Sequence, residues 1–308
     1  MRDTRLCAGV AAVMLATSAC SDDTNPAGPT TSTTDAGAAG AAGGGAAGAA
    51  GGGGASGGAT TSGGAGQGGD LPPPDIVWSA DHETGDISQW SPSGGFIQQG
   101  PTASYEVVSS HAHTGSYGVG LTINTDDSSP TGAHAAYLFR WEDLPDDAYY
   151  YSAWYYLPQG VQPGDWWNVF QWKSTRDNQA SNDPMFVLDV HPSTAVGLEL
   201  VGFWRANDTT LRIRYDQPDG QELAVPTEQW FHLEGYYRRA QDDTGQIIIW
   251  QDGVEVFHVD GIQTVQNDNT VHWSINNYAA DIAPKPLTIF VDDAIISRTR
   301  VGPNYELY

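Results

Sequence analysis

The chain has 308 residues, with 13 Lys and Arg against 37 Asp and Glu and a formal net charge of -24. That balance excludes the basic footprint a nucleic-acid binder needs and opposes electrostatic docking on anionic lipid. Two cysteines exclude a disulfide scaffold and a cysteine-based zinc finger, and no internal apolar run is long enough to span a bilayer.

Residues 1–20 read as an export signal. Arg2 and Arg5 give a positive start, and Leu6 to Ala16 is an apolar stretch too short for a membrane span. Thr17-Ser18-Ala19-Cys20 resembles a bacterial lipobox, which implies lipidation at Cys20; the other reading is an ordinary small-residue cleavage site. Either way the chain is expected to be exported, and with the lipid it is held at the cell envelope, on the outer membrane or cell surface. The membrane is then a partner only through that lipid. Residues 21–74 begin with Ser, Thr, Asp and Pro, become nearly pure Gly and Ala, and close with Pro72-Pro73-Pro74. Such a segment has no side chains to bury and cannot offset its ordering entropy, so a disordered linker is expected. A coil of about 50 residues reaches about 40 Å.

From residue 75 to 308 the composition changes, leaving about 235 residues for one domain without cysteine. Short runs of Val, Ile, Tyr, Trp and Phe alternate with clusters of Gly, Pro, Asn and Asp. They predict strands at 149–157, 166–173, 186–191, 197–204, 211–215, 230–238, 247–251, 254–259 and 287–296. Asp252-Gly253 between two apolar runs is a strong hairpin signal. The expected fold is all-β, an antiparallel sandwich or jelly roll. Alternation groups the side chains by face. Trp167, Val169, Gln171 and Lys173 fall on one side of their strand. Val187, Asp189 and His191 share a side of the next. Arg212 and Arg214 share a face, as do His232, Glu234, Tyr236 and Arg238. These polar faces are either a binding groove or the solvated outside of a sandwich.

Several motifs then stand in an order that resembles the concanavalin A-like jelly rolls of the polysaccharide lyase-like type. They are Asp81-His82-Glu83-Thr84-Gly85 before Trp90, His113-Thr114-Gly115-Ser116-Tyr117, the run 151–158 ending in Pro158, Asn168 to Lys173, the hairpin at 245–256, and Val291-Asp292-Asp293. The resemblance implies a sandwich whose concave face takes a polysaccharide, with β-elimination at a uronate. In such lyases a Gln-x-His strand, an upstream Arg and a late Tyr neutralise the carboxylate and move protons. Here Gln171 and Arg140 would neutralise, His191 or Lys173 would be the base, and Tyr236 or Tyr278 the proton donor. Lys173 stands where the pattern has His. Trp167, Asp189, Arg212, Arg214 and Arg238 would line the substrate path, which would suit an acidic glycan. Carbohydrate modules of this type also suggest a structural Ca²⁺ joining the domain ends through Glu83 and Asp292. His111-x-His113 is too small a set for a transition metal without a third partner. The paired-carboxylate motif of glycoside hydrolases and the Gly-x-Ser-x-Gly elbow are both absent. Two readings besides the lyase stay open: a non-catalytic carbohydrate-binding module and a structural surface protein.

Overall fold

The computed structural model describes residues 71–141, 144–175, 185–205, 213–266 and 270–307. Cys20, Arg212 and the expected signal and linker up to residue 70 lie outside them.

In chain order the strands are β1 (Ile76–Ala80), β2 (Gly94–Gln99), β3 (Ser104–Val108), β4 (Gly118–Ile123), β5 (His134–Trp141) and β6 (Ala148–Tyr156). There follow β7 (Gln162–Pro163), β8 (Trp167–Thr175), β9 (Met185–Ser193), β10 (Gly197–Arg205), β11 (Ile213–Tyr215) and β12 (Trp230–Arg238). The last five are β13 (Gly245–Gln251), β14 (Val254–Ile262), β15 (Thr270–Ala279), β16 (Ile282–Ala283) and β17 (Leu287–Ser297). A single 3₁₀ turn at Ser88–Trp90 is the only helical element among the described residues.

The strands form two large antiparallel sheets, and β7 pairs with β16 as a separate two-stranded one. A front sheet runs β11-β10-β9-β8-β15-β5-β2. A rear sheet runs β14-β13-β12-β6-β17-β4-β3, with β1 also paired to β17. The expected all-β antiparallel sandwich is the fold observed. The Asp252-Gly253 turn joins β13 to β14 with positive φ at both residues, 49° and 81°, the twist a two-residue hairpin requires.

The core lies between the sheets. Trp172 from the front sheet packs on Tyr237 at 5.0 Å and Tyr151 at 5.5 Å from the rear. Phe170, Trp273, Leu188 and Val190 join it from one side and Leu233, Ile249, Tyr155 and Val291 from the other. Each fully buried side chain of this size contributes about 1.5–3 kcal/mol. Gly235 on β12 makes room for the Trp172 ring, since a Cβ there would lie 2.2 Å from it.

A bulge decides which residues of β8 face outward. The pairing of β8 slips between Asn168 and Phe170 against β9, and between Ile275 and Tyr278 against β15. Val169 and Phe170, adjacent in sequence, both point into the core. The Asn168 amide fills the gap, with Nδ2 donating to the Phe170 and Leu188 carbonyls at 3.3 and 3.4 Å. Asn168 therefore shares the outer face with Gln171 and Lys173, while Trp167 is turned inward.

Candidate functional site on the front sheet

The outer face of the front sheet is polar at its centre, and alternation on β15 shows why. Val271, Trp273 and Ile275 face the core; His272, Ser274, Asn276 and Tyr278 face outward. Cross-strand register sorts the outward side chains into rows. One row joins His272, Lys173, Met185 and Arg205. The next joins Phe139, Ser274, Gln171, Val187, Phe203 and Arg214. A further row joins Tyr278, Asn168, Asp189 and Val201, and beyond it His191 stands opposite Glu199.

Most of these polar groups are buried although they do not face the core. Gln171, Ser274, Asn168, Asn276, Asp189 and His272 are all under 7% exposed. Gln171 Nε2 donates to Ser274 Oγ at 2.8 Å, leaving its second N–H and its carbonyl oxygen for other partners. Asn276 Nδ2 donates to Asn168 Oδ1, and Asn168 Nδ2 donates to Asp189 Oδ1 at 3.0 Å. His272 lies against the Phe139 ring at 5.1 Å. Burial first, and then the neighbouring Lys173 ammonium, push its pKa down to about 3, so the imidazole is neutral at physiological pH. Beside this centre is an aromatic patch. Tyr278 meets Tyr137 at 5.2 Å and Trp166 at 4.7 Å, with Phe139 and Ile97 alongside.

A family model described as Polysaccharide lyase matches residues 82–293. The chain belongs to the polysaccharide lyase family. No curated protein matches it in sequence. Among solved structures, an endo-β-1,4-glucuronan lyase from the fungus Trichoderma reesei superposes over 73% of this chain and 97% of its own, with a TM-score of 0.55 and 14% identity. The cellulose induced protein Cip1 covers 73% of this chain and 98% of its own, with a TM-score of 0.52 and 14% identity. At such identities these likenesses speak for the fold.

Within this polysaccharide lyase domain, the outer face of the front sheet collects Gln171, Lys173, Asp189, His191, Arg214 and Tyr278 from the residues expected on sequence grounds. They do not all meet at one point. Four residues along β9 separate the Lys173 row from the Asp189 row, about 13 Å at the strand rise. Tyr278 and His191 therefore stand at the far end from Lys173. The Arg214 guanidinium lies 5.7 Å from the Phe203 ring and 2.7 Å from Asp216.

Four expected residues are placed elsewhere. Trp167 is fully buried in the core, its indole N–H given to Asn277 Oδ1 at 3.0 Å, because the bulge reverses the face that simple alternation assigns. Arg140 points to the inner side of β5, over the Trp78 ring at 4.9 Å and donating to the Trp90 carbonyl at 3.4 Å. Tyr236 and Arg238 are on β12 of the rear sheet, outward, with Tyr236 against Tyr150 at 5.0 Å. The whole sandwich separates them from Gln171.

Glu83 and Asp292 do approach one turn, 111–117, but as hydrogen-bond acceptors. Glu83 Oε1 accepts the amides of Ser116 and Tyr117 at 2.7 and 2.8 Å. Trp90 Nε1 donates to His82 Nε2 at 3.1 Å, which fixes the imidazole proton on Nδ1, facing Asp292 Oδ1 at 3.1 Å. Asp292 also accepts the His113 and Asp293 amides at 2.8 and 2.9 Å. Burial raises its pKa first, with the His82 contact opposing. N–H donors thus occupy both Asp292 oxygens and Glu83 Oε1, which leaves Glu83 Oε2 as the oxygen of the expected calcium pair without such a donor among the described residues. His111 and His113 are likewise committed, stacked on Phe290 and Trp154 at 3.7 Å each.

Sequence reading missed His272, Asn276, Asn168, Arg205 and Tyr137. β15 was not among the predicted strands, yet Val-His-Trp-Ser-Ile-Asn alternates with period two and carried the signal. Asn168 needed the bulge, which no local pattern announces.

Proposed function

We propose that the domain cleaves a uronate-containing polysaccharide by β-elimination at the His272, Lys173 and Gln171 cluster. The observation that carries this reading is the cross-strand pairing of a neutral, buried histidine with a lysine, one residue pair from a buried glutamine amide, in a polysaccharide lyase family chain. The Gln171 N–H and the Lys173 ammonium hold the uronate carboxylate and make the adjacent C5 proton acidic. His272 takes that proton; the bound carboxylate raises its basicity from the depressed resting value. The C5–H electron pair becomes the C4=C5 double bond, the C4–O4 bond breaks, and O4 leaves with a proton from Lys173. The extra proton on His272 then returns to Lys173 across the strand pair, restoring both groups. The aromatic patch at Tyr278, Tyr137 and Trp166 offers flat faces for neighbouring sugar rings.

The test is the ultraviolet absorbance of the unsaturated product from a panel of uronate glycans, with His272→Ala, Lys173→Ala and Gln171→Ala alongside. His272→Ala is expected to lower kcat/KM by about 10²-fold or more. A wild-type rate in His272→Ala, or no product from any glycan, would sink the assignment.

We also propose that the chain is exported and lipidated at Cys20. The support is the signal-like start, the small residues before the cysteine and the Gly/Ala-rich segment that follows. Incorporation of a labelled fatty acid that Cys20→Ser abolishes is the expected result; label retained by the variant refutes it.

A further inference from the structure

The front face is polarised along its strands. At one end the row through His272 carries two cations, Lys173 and Arg205. About 13 Å away along β9 the sign reverses. Asp189 and Glu199 stand there, and the guanidinium of Arg214 is drawn to Asp216 first and only then to Glu199 and Asp189. Three carboxylates thus face one arginine. His191 sits between them, its Nε2 3.9 Å from Asp189 Oδ2 and without a hydrogen-bond partner.

A second feature at the same end points to a ligand. Asn276 is fully buried, its amide N–H goes to Asn168, and its Oδ1 has no partner. Asn168 in turn holds Asp189 Oδ1 at 3.0 Å. Apart from His191 Nε2, which donates or accepts according to its tautomer, the groups offered here are acceptors: Asn276 Oδ1, the second Asp189 oxygen and the Glu199 carboxylate. Acceptors call for donors. Sugar hydroxyls donate; an ionised uronate carboxylate only accepts and is repelled.

We propose that the Asp189, Glu199 and Asn276 end of the face is a specificity filter that takes a sugar without a carboxylate. The preferred substrate is then a heteroglycan, with a uronate at Lys173 and neutral sugars two to three positions along, rather than a homopolyuronate. This rests on reading the front face as a glycan site, but not on the elimination chemistry. Like charge placed against the wrong ligand is a common route to discrimination.

The experiment compares a homopolyuronate (alginate) with a heteroglycan in which glucuronate alternates with neutral sugars (deacylated gellan). The probes are retardation in native affinity gels and, separately, release of unsaturated product. Wild type is expected to bind the heteroglycan at least about tenfold more tightly. The Asp189→Asn, Glu199→Gln variant keeps an acceptor for Asn168 and is expected to close that gap to within about twofold by gaining on alginate. Asn276→Asp, which adds charge at the same place, should widen it. Equal or tighter wild-type binding of alginate overturns the proposal. So does an unchanged ratio in the neutralised variant with an unaltered melting temperature, or absence of binding to both glycans. A shifted binding ratio without unsaturated product from either glycan would retain the filter and remove the lyase step.

Discussion

His232 offers a quantitative check on the rear sheet. Its ring is buried between strands, 5.2 Å from Trp154, with Nδ1 lacking any partner. Burial first, then His113 and Arg300, push its pKa down to about 3. In the unfolded chain an imidazole titrates near 6.5. The unfolded state therefore binds the proton that the folded state refuses, and this share of stability is present above about pH 6.5 and lost as pH falls towards 3. Between pH 7 and pH 5 the loss is about 2 kcal/mol. His272 adds a similar loss in the same window. Asp292, Glu234 and Asp252 act oppositely: burial raises each, so their stability deficit is relieved as they protonate. Comparing wild type with His232→Phe cancels the common terms. Urea unfolding of both proteins at pH 7 and pH 5 is the assay. The variant should lose about 2 kcal/mol less on acidification. Parallel losses would mean that the folded His232 accepts a proton at its ordinary pKa, and the burial argument would fail.

Glu234 binds the C-terminal segment through the amides of Val301 and Gly302 at 2.6 and 3.3 Å and Arg300 Nε at 3.1 Å. Glu234→Ala should cost about 3 kcal/mol and expose residues 298–307 to protease, read by limited digestion with mass analysis. Gly235→Ala places a Cβ 2.2 Å from Trp172 and should destabilise by about 3 kcal/mol in chemical unfolding. Chelation should leave the melting temperature unchanged, because both Asp292 oxygens and Glu83 Oε1 already accept N–H donors; a fall in melting temperature would restore a calcium site.

Several strands with strong β-branched and aromatic content were legible. β6, β12 and β17 lie within one or two residues of their predicted bounds, as does the Asp252-Gly253 hairpin. β1 to β5, β7, β15 and β16 were not among the predicted strands, and of these β5 and β15 belong to the site face. Ala135 and Ala136 dilute the first, and His272, Ser274, Asn276 and Asn277 break the apolar run of the second. The polarity of β15 is what makes it a site strand, so the signal for a strand and the signal for function oppose each other there. Alternation placed Gln171 and Lys173 together correctly. It failed at Trp167, since one extra residue reverses every side chain beyond it. Tyr236 failed for another reason: sequence shows which residues share a strand face, but not which of two sheets the strand joins.

The rear sheet ends on β14, nine residues long and hydrogen-bonded only to β13. A free strand of that length is a template on which another chain can extend the sheet. Val254 is 54% exposed at its start, but Glu255, His258 and Asp260 follow. The two acids flank the His258 ring at 3.3 and 3.2 Å. On a molecule of net charge -24, a second copy arriving edge to edge brings the same carboxylates against these. The same acidity thus guards the domain against aggregation through its longest open border among the described residues.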